Sequence, residues 1–222
     1  MRRSGIISLD QNRIDTLISL AREVRGFMPD DEGLALLEAG LEAGRRFPSS
    51  TFLEVGAWCG KSGVYLGAAA EASGSVLYSL DHHHGSEENQ IGWEHHDADL
   101  VDPEDGRLNT LPHWQRSIAR ADLEHTVIGL VGNSPIVATH FETPLSFLFI
   151  DGGHGSEPAW ADYRNWTPKI VERGVLAIHD VFENPADGGR PPYELYCEAL
   201  DSGEFAELSA TGSLRVLERI KG

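Results

Sequence analysis

From residue 51 onward, short apolar runs alternate with longer stretches of mixed polarity. The runs at 51–56, 75–81, 126–132, 145–151 and 174–180 are nearly continuous in apolar residues. That pattern suits strands of a parallel sheet covered on both faces. The segments between them read as helical or mixed, so right-handed βαβ crossovers are expected. Two further runs, 205–211 and 213–220, meet at Gly212 and predict an antiparallel hairpin at the sheet edge. Residues 1–50 read instead as a helical extension. Ile14, Leu17, Ile18 and Ala21 share one face, with Asp10 in the capping position. A second helix begins at Asp30 and turns Leu34, Leu37 and Leu41 inward, although its interior glycines argue against great length. Residues 51–222 form the expected core of a single domain. The segment 82–114 is long, polar and rich in His, Asp, Glu and Gly, which predicts a lid or substrate loop.

Composition narrows the partners. The chain has 222 residues, of which 41% are hydrophobic and 24% charged, an ordinary globular balance. It contains no apolar run of membrane-spanning length. Its first residues carry two arginines and no stretch of signal-peptide length, so no leader is expected. Cys59 and Cys197 lie far apart, so neither a disulfide framework nor a thiolate zinc site is expected, and a cytoplasmic location follows. A net charge of −17 opposes nucleic acid and anionic membranes as partners. It favours a neutral or cationic small molecule, or a metal.

In an open parallel sheet, ligands bind beyond the carboxyl ends of the strands, so the residues there carry the chemistry. The first strand runs into Glu54-Val-Gly56-Ala-Trp-Cys-Gly60-Lys-Ser62. Gly56 and Gly60 let the backbone pass close to a ligand, and the following helix offers free N–H groups. On its own this is equally a tight strand-to-helix turn. The second strand ends in Asp81, placed to accept from ribose hydroxyls. After the third come Asn133 and Ser134, which could flank an adenine edge or simply cap a helix. The third glycine of a dinucleotide fingerprint is missing. Glu54 would repel a pyrophosphate and suits a cationic group such as the amino group of a methionine moiety, favouring S-adenosylmethionine.

The fourth and fifth runs end in Asp151-Gly-Gly-His154 and His179-Asp180. Asp151 and Asp180 could hold a hard divalent cation, with His179 as a third ligand or a support. Oxygen ligands suggest Mg2+, and the histidine leaves Mn2+ open. His154, on a glycine-flanked turn, could act as a general base near neutrality. A bare hydrogen-bonded His–Asp pair is the plainer alternative. The histidines at 82–84, with His95 and His96, lack tetrahedral zinc spacing and read as a solvated polar loop.

Three stretches together carry a family resemblance. They are Phe149-Ile-Asp-Gly-Gly-His154, Asp162-Tyr-Arg-Asn-Trp166-Thr-Pro168 and Gly174-Val-Leu-Ala-Ile-His179-Asp180. With the 54–62 turn and Gly26-Phe-Met-Pro-Asp-Asp-Glu32-Gly33, the chain resembles class I methyltransferases of the Methyltransf_24 type over about residues 25 to 220. The resemblance implies an α/β, Rossmann-like class I methyltransferase fold. Its sheet would be seven-stranded and mostly parallel, with helices on both faces and an antiparallel C-terminal hairpin. It further implies S-adenosylmethionine as methyl donor. Sugar-modifying members, including those acting on methylated mannose oligosaccharides, imply metal-assisted O-methylation of a saccharide, with Mg2+ held by Asp151 and Asp180 and His154 as base. At His179 relatives often carry an acidic residue, which leaves the third ligand and the metal open. A homodimer is expected, through the N-terminal helices or the hairpin. Two rivals stand beside this reading. One is a non-haem iron oxygenase using His154, His179 and one carboxylate, although such enzymes usually have β-barrel folds. The other is a protein that binds the methyl donor without catalysis.

Overall fold

The computed structural model describes residues 11–86, 89–90, 92, 96–153, 155–184 and 186–221. Helices α1 (Gln11–Glu23) and α2 (Asp30–Arg46) precede the core. The core then runs β1 (Thr51–Val55), α3 (Lys61–Ser73), β2 (Val76–Asp81), α4 (Leu111–Arg120), β3 (Val127–Val131), α5 (Ser134–His140), β4 (Leu145–Ile150) and α6 (Ser156–Trp166). It closes with β5 (Ile170–Ile178), α7 (Arg190–Asp201), β6 (Phe205–Thr211) and β7 (Leu214–Arg219). The seven strands lie in the order β3-β2-β1-β4-β5-β7-β6. β1 to β5 pair in parallel, and β7 runs antiparallel to both β5 and β6. This is the Rossmann-like mixed sheet that the apolar runs predict.

The nearly continuous apolar runs arise because successive side chains serve opposite faces. Phe52, Phe147, Phe149, Val175 and Ala177 point to a core built with α1, α2, α3 and α4. Their neighbours Leu53, Leu148, Ile150, Leu176 and Ile178 point to a second core built with α5, α6 and α7. The apolar face of α1 lies within the first of these, with Leu17 and Ala21 buried.

α2 reaches its full length because its glycines are contact points. A Cβ on Gly40 would lie 2.8 Å from the Ala69 Cβ, one on Gly44 would lie 2.6 Å from the Ser73 Cβ, and one on Gly33 would collide with the Tyr65 ring. The stripe lets α2 settle directly onto α3, and packing outweighs the helix penalty of glycine, about 1 kcal/mol each. Replacing Gly40 with leucine should therefore lower the free energy of unfolding by about 1–3 kcal/mol. Urea denaturation reads this directly, and an unchanged midpoint at unchanged slope would show that the helices do not meet there.

Two boundaries differ from the sequence pattern. β5 starts at Ile170, four residues before the run at 174. Its early residues Glu172 and Arg173 are charged and exposed, and Arg173 adopts a left-handed φ of 63°, so the apolar pattern starts only beyond them. Trp114 lies at 114, the expected end of the loop, yet it belongs to α4, is buried, and packs over Gly129. The described part of that loop is tied down locally. Thr110 N–H donates to the His83 carbonyl, Asn109 N–H donates to the Leu100 carbonyl, and Arg25 pairs with Asp97 at 2.9 Å. No helix among the described residues is long and apolar enough to cross a membrane.

Candidate active site

β1 and β4 are neighbours, yet the chain leaves β1 toward β2 on its other side. The connections diverge at this point, opening a crevice at the strand ends. A cleft of about 520 Å³ lies there, within the range of small-molecule sites. It is lined by the residues that follow β1, β2, β3, β4 and β5, and by Gly26, Phe27 and Met28 ahead of α2.

The β1 turn is shaped by Gly56, whose φ of 93° suits glycine and whose Cβ, if present, would collide with the Asp151 carbonyl. Asp81 organises the same turn. Its Oδ2 accepts from the N–H groups of Ala57 and Trp58, both at 2.9 Å, and its Oδ1 accepts from His83 N–H at 2.7 Å. A carboxylate offers about four acceptor sites, so Asp81 retains room for one further donor, such as a ribose hydroxyl. Gly60 caps α3 in a left-handed conformation and faces Trp114 and Ser117, outside the cleft lining.

Glu54 is fully buried and also lies outside the lining. It accepts from Ser62 Oγ at 2.8 Å and from Ser79 Oγ at 2.5 Å, and Ser79 in turn accepts from Trp114 Nε1 at 3.0 Å. Burial pushes its carboxyl up to about 7 against these hydrogen bonds, helped by the charges of Asp151 and Asp81. Ser62 does line the cleft, so Glu54 reaches it through that hydroxyl.

Beyond β3, Asn133 sits at the N-cap of α5, makes no side-chain capping bond and lines the cleft. Ser134 accepts from Trp166 Nε1 at 2.8 Å and bonds Asp162. Asp162, buried on α6, lines the cleft as well, and burial raises its carboxyl to about 6 despite that bond. In the sequence Asp162 stands within the 162–168 motif with no role marked for it.

Asp151, His179 and Asp180 converge where β4 and β5 end. One ligand atom from each lies within 4.8 Å of the others. His179 Nδ1 is 3.1 Å from Asp151 Oδ1 and 3.3 Å from Asp180 Oδ2. Asp180 holds a left-handed φ of 56°, which turns its carboxylate back toward the histidine. Burial opposes charge on His179, but Asp151, Asp180 and Glu32 outweigh it and raise its pKa far above the ordinary range. Bonds of about 2.1 Å at right angles separate neighbouring donors by about 3 Å, so one nitrogen and two carboxylates fit a divalent cation. His154 lies outside the described residues, while its neighbours Gly153 and Gly155 both line the cleft.

Glu32, at the start of α2, was missed in the sequence. It is 3% exposed, and its Oε2 lies 2.5 Å from His179 Nε2. No sequence signal marks it, because an acidic residue in a first helical turn is common. His82 lines the cleft, while three other loop histidines make hydrogen bonds within the loop or to its flanks. His83 Nδ1 bonds Thr110 Oγ1 at 2.8 Å, His84 Nδ1 bonds the Leu108 carbonyl at 3.0 Å, and His96 Nδ1 bonds the Asn89 carbonyl at 3.0 Å. His95 lies outside the described residues.

Solved structures with this fold include the O-methyltransferase NovP, at TM-score 0.73 and 15% identity, covering 95% of this chain and 99% of that one. The O-methyltransferase from Bacillus cereus, in complex with SAH, matches at TM-score 0.63 and 15% identity, covering 96% and 92%. TomG from Streptomyces achromogenes, an O-methyltransferase solved with SAM, matches at TM-score 0.59 and 15% identity, covering 99% and 94%. At such identities the likeness is one of fold, and that fold is an open α/β sheet, not the barrel an iron oxygenase would suggest. The sequence family described as a methyltransferase domain matches residues 53–181, which span β1 through the His179-Asp180 pair. The chain belongs to this Methyltransf_24 family of methyltransferase domains.

Proposed function

We propose that this protein is an S-adenosylmethionine-dependent O-methyltransferase that uses a divalent cation to activate a hydroxyl of a small acceptor, a saccharide being the favoured class. The observation that carries the reading is the placement of Asp151, His179 and Asp180 at one end of a cleft whose other walls follow β1, β2 and β3. The family match supports methyl transfer. The names of the three structural neighbours described above, each an O-methyltransferase, support oxygen as the acceptor atom.

The roles follow from position. Gly56 admits the methyl donor against the β1 turn, and Asp81 accepts from its ribose. Asn133 and Ser134 meet the adenine edge. The buried Glu54, acting through Ser62, and the net charge of −17 favour a cationic donor. A cation held by Asp151, His179 and Asp180 would lower the pKa of a nearby hydroxyl. His154 takes that proton. The oxygen forms its bond to the methyl carbon as the carbon–sulfur bond breaks, and the electron pair remains on sulfur, giving neutral S-adenosylhomocysteine. Holding donor and acceptor in line supplies much of the rate.

Calorimetric titration with S-adenosylhomocysteine tests the foundation. Micromolar binding is expected, followed by methyl transfer to sugars that stops with chelator and returns with Mg2+ or Mn2+. Absence of binding, with and without metal, would overturn the reading.

A further inference from the structure

The proposed metal ligands do not explain why a histidine stands where two carboxylates already converge, nor why Glu32 is buried behind it. Glu32 lies on α2, 147 residues from His179, yet the two meet at 2.5 Å. Its other oxygen, Oε1, accepts from Ser213 N–H at 2.5 Å and from Ser213 Oγ at 3.1 Å. Gly212 is left-handed at φ 52°, and a Cβ there would collide with Glu32. The carboxylate is therefore clamped between the β6–β7 turn and the histidine. An ionised carboxylate only accepts hydrogen bonds, so the ring nitrogen facing it carries the hydrogen. The hydrogen that a metal can displace is then the one on Nδ1, the atom beside Asp151 and Asp180, and its loss leaves the lone pair there.

We propose that Glu32 is a positioning residue that presents His179 Nδ1 as a ligand, and that the site therefore takes a transition-metal dication such as Mn2+ through one nitrogen and two carboxylates. This rests on the metal-assisted reading above and adds to it the donor atom, the residue that orients it and the class of cation. An imidazole ligand shifts preference away from Mg2+, which favours oxygen alone. A carboxylate behind a ligating histidine fixes the ring and raises its basicity, and its loss costs about 10- to 100-fold in metal affinity.

The test is Mn2+ binding to the metal-stripped protein, followed by electron paramagnetic resonance, with pulsed detection of nitrogen coupling. The wild-type protein should bind Mn2+ and show coupling to one imidazole nitrogen. His179→Asp should bind Mn2+ without that coupling. Glu32→Gln should bind about tenfold more weakly, because its single oxygen cannot accept from both His179 and Ser213 while its NH2 faces a donor. Ser213→Ala loosens the hairpin but leaves the Glu32–His179 contact, so it should change stability and not Mn2+ affinity. Wild-type Mn2+ binding without nitrogen coupling would overturn the proposal and leave the metal reading intact. Failure of both the wild type and His179→Asp to bind Mn2+ would overturn the metal reading itself. Wild-type affinity in folded Glu32→Gln would reduce Glu32 to an anchor for the hairpin. Should Glu32→Gln fail to fold, the wild-type and His179→Asp spectra still decide the ligand.

Discussion

Replacing Asp151 with asparagine is expected to lower kcat/KM about a thousandfold while S-adenosylhomocysteine still binds within a few-fold of wild type. The two effects separate because Asp151 contributes to the cleft in two ways. Its backbone closes the β1–β4 approach, with Asp151 N–H donating to the Val55 carbonyl at 2.9 Å, and asparagine keeps that bond. Its carboxylate, 22% exposed, faces His179 and Asp180, and asparagine removes one of the two negative charges at the proposed cation site. Losing cation activation of the acceptor hydroxyl removes several kcal/mol from the transition state, and about 4 kcal/mol corresponds to that thousandfold. Steady-state kinetics beside calorimetry reads both quantities. A fall of less than tenfold would show that chemistry does not occur at this end of the cleft. A parallel collapse of S-adenosylhomocysteine binding would instead make Asp151 part of the donor site.

The sheet was legible because both of its faces are buried. Residues 147–150 are apolar without a break, since Phe147 and Phe149 serve one core while Leu148 and Ile150 serve the other. The strand-end residues were legible for the same reason, because each polar group follows directly on an apolar run. Asp81, Asp151 and the His179-Asp180 pair all stand at such boundaries and reach the cleft. What the pattern could not show is contact across the chain. Glu32 reads as an ordinary acidic residue at a helix start until α2 packs against the sheet and brings it to His179. Asp162 reads as a polar position on an amphipathic helix, although the fold buries it under the Gly152 turn beside Ser134. Glu54 shows the converse. Its place at the end of β1 suggested direct contact with a ligand, but strand alternation sends it to the α3 face, where Ser62 and Ser79 receive it.

That burial makes Glu54 a source of pH-dependent stability. Its carboxyl rises from an ordinary 4.5 to about 7 in the folded protein, with burial as the main cause. Between these values the folded state holds a proton that the unfolded state has released. Stability therefore falls as pH climbs from about 4.5 to 7 and levels off above. At about 1.4 kcal/mol per unit, the loss is about 3 kcal/mol. Glu54→Gln cannot ionise, so its free energy of unfolding should change by about 2.5 kcal/mol less than wild type between pH 5 and pH 8. Asp162 is also raised, to about 6, but it is present in both proteins and cancels in the difference. Urea denaturation at the two pH values measures it. Equal pH dependence in the two proteins would mean that Glu54 stays ionised throughout, held by its serine hydroxyls. Saturating S-adenosylhomocysteine adds a functional reading. If its ammonium group sits over Ser62, it favours the ionised carboxylate beneath, so the ligand should flatten the pH dependence of the wild type and leave that of Glu54→Gln unchanged. A ligand effect equal in both proteins would place the ammonium group elsewhere in the cleft and confine Glu54 to holding β1, β2 and α3 together.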